Sequence, residues 1–78
     1  MVRTLAEAHA MLEARRPGSD EGILAWVAHH RWCARVYAAV ADTDPDCNAQ
    51  AAAWARIERR EARTLEDNLI DLVQAYLC

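Results

Sequence analysis

Apolar and polar positions recur at helical spacing in three stretches separated by two breaks. The first stretch, about 4–15, opens on "TLAE". This predicts a capping box, with the Thr4 hydroxyl accepting from the third helical amide and Glu7 reaching back. "RRPGSD" ends it: Pro17 and Gly18 stop the helix, and Ser19 or Asp20 is placed to cap the next. The second stretch runs from about 20 to 41. "DTDPD" is the second break, with Asp44 as the expected cap of helix three and Pro45 at its first helical position. The third stretch, about 45–77, contains no Gly or Pro. "RTLED" (63–67) echoes "RTLAE" (3–7), so Thr64 is the one place where this helix could divide; the pattern is read as a single helix.

Stepping 100° per residue puts Ile23, Trp26, His30, Cys33, Tyr37 and Val40 on one stripe of helix two. Arg31 and Arg35 fall opposite, and Ala25, Trp32, Val36 and Ala39 form a flanking apolar strip. Helix three carries Ala51, Trp54, Ala55, Ala62, Leu65, Leu69, Leu72 and Tyr76 on one arc, which Ile70, Val73 and Leu77 widen toward the end. At about 1.5 Å per residue, helix three spans roughly 50 Å and helix two roughly 33 Å, an excess close to the roughly 18 Å of helix one. Helix one either continues the line of helix two or folds back and leaves the last turns of helix three bare. Both arrangements leave apolar surface for another chain.

Two polar residues interrupt these stripes: His30 on helix two and Glu58 on helix three. A tight antiparallel hairpin places His30 beside Ile57 and Glu58, Cys33 beside Trp54, and Trp26 beside Glu61 and Ala62. A carboxylate inside an apolar seam is tolerable only when paired, so a His30–Glu58 contact is expected.

Composition narrows the function classes. All nine basic residues are Arg, against twelve acidic ones, and the net charge is −3. That balance argues against a general nucleic-acid binder, which needs a positive field. The 78 residues make one small domain, near the size where a single core only just offsets chain entropy. Cys33, Cys47 and Cys78 are an odd number with no close pair. With no secretory leader pattern and no run able to span a bilayer, a cytoplasmic protein with reduced thiols and no membrane association is expected.

The stretch "HHRWC" (29–33) is the most chemically suggestive. His30 and Cys33 are three apart and could face one ion, with Glu58 or Glu61 completing a mixed zinc site. The preferred reading is different: Cys33 packs as a small hydrophobe and His30 pairs with Glu58. No Cys-x-x-Cys, His-Glu-x-x-His or Glu-x-x-His pattern is present, so no metal and no cofactor is expected, with His30, Cys33 and Glu58 as the alternative metal set. No catalytic residue is assigned, because nothing resembles an oxyanion hole or a substrate cleft. Arg56, Arg59, Arg60 and Arg63 share a face and form either a solvated stripe or a surface for an anion or acidic partner. Trp26 and Trp54 are expected in the core, and Trp32 under helix one or in a subunit interface.

Three segments carry a resemblance: "TLAEAH" (4–9), Tyr37 to Asp44 with Val40 and Ala41 between, and Trp54, Ala55, Glu58 and Arg59. Together they look like a group of short actinobacterial helical proteins with no assigned activity. The resemblance covers most of the chain and implies a bacterial, cytosolic helical protein.

The expectation is therefore an all-α chain, a single domain over 1–78, built on an antiparallel helical hairpin with a short N-terminal helix and forming a three-helix or dimeric bundle. It is expected to act without enzymatic chemistry, through a homodimer or a protein partner. The interface residues are Trp32, Val36, Leu69, Ile70, Leu72, Val73, Tyr76 and Leu77.

Overall fold

The computed structural model describes residues 2–77, so Cys78 lies outside the described residues. Three α-helices and no strand are found among them: α1 (Leu5–Ala14), α2 (Ile23–Thr43) and α3 (Asn48–Leu77). Thr4 caps α1 with the full capping box: its hydroxyl accepts from the Glu7 amide, and Glu7 accepts from the Thr4 amide. Two boundaries differ from the sequence expectation. α2 starts later, at Ile23, with Gly22 as N-cap; Asp20 and Glu21 stay in the linker, where the Glu21 carboxylate accepts from the Gly18 amide at 2.7 Å. α3 also starts later, at Asn48, and Asp44 does not cap it. Asp44 ends α2, and its Oδ2 accepts from the Leu5 amide at 3.0 Å, satisfying a first-turn donor of α1.

α3 is unbroken to Leu77. Thr64 does not cap a fourth helix; its hydroxyl donates to the Arg60 carbonyl one turn back at 3.0 Å.

α2 and α3 lie antiparallel, and α1 folds back over the loop end of that hairpin. Its start is tied to the α2–α3 turn through Asp44, and Thr43 Oγ1 donates to the Arg3 carbonyl at 2.9 Å. Its end reaches the middle of α2, where the Arg15 guanidinium sits 5.5 Å from the Trp32 ring centre. The core beneath joins Leu5, Ala8 and Leu12 of α1 to Cys33, Tyr37 and Val40 of α2 and Ala51 and Ala55 of α3. Alanine at the α3 positions lets the helices approach closely, but it buries little apolar area per residue. Trp32, expected under helix one or in a subunit interface, and Val36, expected in that interface, pack half-buried against this cluster, where the end of α1 places Arg15 over the Trp32 ring.

The fold-back leaves α3 longer than its partner. The register set by His30 and Glu58 puts Ile23, the first residue of α2, across from about Leu65. The remaining twelve or so residues of α3 project for about 18 Å with no helix beside them. Ile70, Leu72, Val73, Tyr76 and Leu77 on this overhang are exposed, Tyr76 at 91 % and Leu77 at 81 %. No helix is long and apolar enough to cross a membrane among the described residues.

Candidate functional site

Between α1 and the hairpin lies an open groove of about 780 Å³. His9 reaches it from α1, His29, His30 and Cys33 from α2, and Trp54 and Glu58 from α3. Helical spacing places each: His30 and Cys33 are one turn apart, as are Trp54 and Glu58, and His9 follows Leu5 by one turn.

Every titratable side chain facing the groove from the core side has an internal partner. His30 Nδ1 lies 2.5 Å from Glu58 Oε2, with the two side chains only 19 % and 16 % exposed. The structure thus brings together the two residues that broke the apolar stripes. An ionised carboxylate only accepts, so the imidazole carries the proton on Nδ1. His9 Nδ1 lies 2.7 Å from the Tyr37 hydroxyl. Tyr37 is buried, and burial first, then the Glu58 charge, push its phenol up to about 12, so the hydroxyl keeps its proton. Cys33 Sγ sits 3.4 Å from His29 Nε2. Burial first and Glu58 second raise the thiol to about 11, while burial and the neighbouring His30 hold His29 below its ordinary 6.5. The contact is one of neutral thiol and neutral imidazole, without the thiolate that nucleophilic chemistry requires.

The aromatic residues form a second layer of contacts. Trp54 stacks on Tyr37 at 27° and 5.9 Å and meets the His9 ring edge-on at 5.3 Å. Trp54 was expected in the core, yet 39 % of it is exposed, because α1 presents small Ala6 and Ala10 to the groove. Trp26 was expected beside Glu61 and Ala62. Its indole N–H donates to the Gly18 carbonyl of the linker at 3.3 Å, and its ring lies 5.3 Å from the Arg16 guanidinium.

The alternative metal set is not assembled. His30 is committed to Glu58 and Cys33 to His29, Glu61 is exposed, and no three His, Cys, Asp or Glu side chains converge as metal donors among the described residues. His9 went unnoticed in the sequence as a site residue; the available signal was its place one turn from Leu5 on the buried side of α1.

On the other face of the hairpin, Arg31 and Arg35 of α2 and Arg59 and Arg63 of α3 rim a second groove of about 530 Å³ floored by Ala34 and Ala62. Arg31 is held by Glu66, with Nε 3.1 Å from Oε1. Glu66 lies one turn from Arg63 on α3, yet it pairs across the hairpin with Arg31 of α2. Arg56 and Arg60 are exposed and stand outside this groove, so only half of the sequence-defined stripe contributes to it.

Neither the protein-family models, nor the curated proteins, nor the solved structures contain a match to this chain.

Proposed function

We propose that this chain is a small helical association module, without enzymatic activity, that pairs with a second copy of itself through the α3 overhang. The supporting observation is the overhang itself. Its exposed Ile70, Leu72, Val73, Tyr76 and Leu77 continue the face of α3 that α2 covers nearer the loop, and Leu69 beside them is only half-buried. Exposed Leu24 stands at the start of α2, at the step where the overhang begins. Two overhangs laid antiparallel about a two-fold axis are self-complementary in length and character. Covering both tips removes on the order of 1,000 Å² from water, the lower limit for a specific interface. The free thiols of Cys33 and Cys47 are consistent with a reducing, cytoplasmic setting.

Sedimentation equilibrium tests this. The expected result is a dimer at micromolar concentration and a monomer for Leu72→Glu/Tyr76→Glu, with helix content unchanged. A wild-type chain that stays monomeric at 100-fold higher concentration than that range would overturn the reading.

A second reading is favoured by one observation, the positive excess of the opposite groove, where four guanidinium groups stand against the carboxylates of Asp67 and of Glu66, which holds Arg31. It suits an acidic protein partner, and the net charge of −3 disfavours nucleic acid. Binding of an acidic peptide that weakens with salt and is lost in Arg35→Gln/Arg59→Gln/Arg63→Gln supports it; binding that persists in that variant removes it.

A further inference from the structure

Charge divides α3 in two. Arg56, Arg59, Arg60 and Arg63 stand along its middle, Asp67 and Asp71 follow on the overhang, and all six are exposed. None of these side chains is in an ion pair among the described residues. At 100° per residue the six fall within about a third of the helix circumference, so they share one side of α3. The Arg-rimmed groove adjoins that side, with buried Ala34 and Ala62 in its floor. Ile70 lines one end of it and is itself 53 % exposed on the overhang. Groove and overhang are therefore one continuous surface, basic with small residues at one end, acidic with large apolar residues at the other. Each chain carries both halves of a contact.

Laid tip on tip, two overhangs would bring Asp71 of each chain close to the two-fold axis and leave Arg59 and Arg63 without partners. Sliding the chains about 20 Å further past each other moves the axis to about Leu65, where the basic and acidic halves meet. Asp67 of each copy then stands across from Arg63 of the other, and Asp71 across from Arg59. Each tip now covers a groove instead of the other tip, which doubles the buried area to on the order of 2,000 Å², enough for a stable dimer. Only the overhang can enter the groove, because it is the part of α3 with no helix beside it.

We propose that the overhang of a second copy occupies the Arg-rimmed groove, antiparallel to α3, setting Asp67 and Asp71 against Arg63 and Arg59 and laying Ile70 and Val73 over the alanine floor. This register presupposes self-association through the overhang and adds where each tip lands; the acidic partner of the groove is the same chain.

Sedimentation equilibrium of charge-reversed chains tests it. Asp67→Arg/Asp71→Arg and Arg59→Asp/Arg63→Asp are each expected to weaken the dimer at least tenfold, because like charges then meet at both contacts. An equimolar mixture of the two is expected to form a mixed dimer about as tight as the wild type, since both of its contacts again join opposite charges. Helix content is expected to be unchanged, all four positions being exposed. The milder Asp67→Asn/Asp71→Asn is expected to weaken the dimer at least threefold, whereas tip on tip it would strengthen it by removing Asp71 from Asp71. A stronger dimer in that variant, an undiminished one in Arg59→Asp/Arg63→Asp, or no mixed dimer would each overturn the register while self-association stands. A monomeric wild type would overturn both.

Discussion

The two ends of the hairpin are made from the same two helices and behave differently because only one has a third layer. At the loop end α1 covers α2 and α3, and Leu5, Leu12, Tyr37 and Val40 are buried. At the open end α3 runs on alone, and residues of the same type and spacing stand in water. Amphipathic pattern specifies a face; what covers it depends on which partner is long enough to reach.

Truncation should reveal this contrast most strongly. Val40→Ala or Leu12→Ala is expected to cost about 2–4 kcal/mol, as for buried aliphatic residues generally. Leu77→Ala should cost less than about 0.5 kcal/mol when measured by denaturant unfolding at a concentration where the chain is monomeric. Equal losses at the two ends would mean that the overhang is covered within a single chain.

Ion pairs offer a finer version of the same comparison. Glu58→Ala removes the partner of a mostly enclosed imidazole and is expected to cost about 1–3 kcal/mol. Arg31→Ala opens the exposed pair with Glu66 and should cost about 0.5 kcal/mol or less. If the two losses match by unfolding, the His30–Glu58 contact is solvated in solution.

The capping box at the start of α1 is a local contribution that lies between these two in size. Thr4→Ala loses the capping box and should lower stability by about 1 kcal/mol. The loss should appear as faster amide exchange in α1 before any change in α2, and uniform exchange through both helices would contradict that order.

The titrating groups of the groove add a pH dependence to the same comparison. His29 has a folded-state pKa below its ordinary 6.5, so the unfolded chain binds the extra proton and stability should decline as pH falls below about 6.5. Cys33 and Tyr37 have raised values, so the folded chain holds the protons longer. Stability should then decline as pH rises from about 9 toward 11 and 12. His29→Gln should flatten the acid limb, and Cys33→Ala the start of the alkaline limb, of a melting-temperature profile. Unchanged limbs in these variants would assign the pH dependence to other groups.

Much of this was legible in the chain before any coordinates. The capping box at Thr4, the three helices and the unbroken run of α3 follow from local spacing and from where Gly and Pro occur. The meeting of His30 with Glu58 follows from two polar residues on facing stripes and a short turn that sets the register. The groove was not legible. It needs His9, which became a site residue only when α1 folded back, and an exposed Trp54, which depends on how little space Ala6 and Ala10 fill. Asp44 misled for a related reason: it suits the start of the next helix by sequence, but the amide of Leu5 came to it through space.

The sequence by itself therefore determined helix identity, the faces and the enclosed imidazole–carboxylate contact, since all of these depend on neighbours three or four residues apart or across one tight turn. The tertiary structure alone decided where α1 lies, which apolar face stays bare and which aromatic rings border an open groove. Those outcomes depend on the relative lengths of the packed helices and the volumes of side chains far apart in the chain, and periodicity carries no record of either.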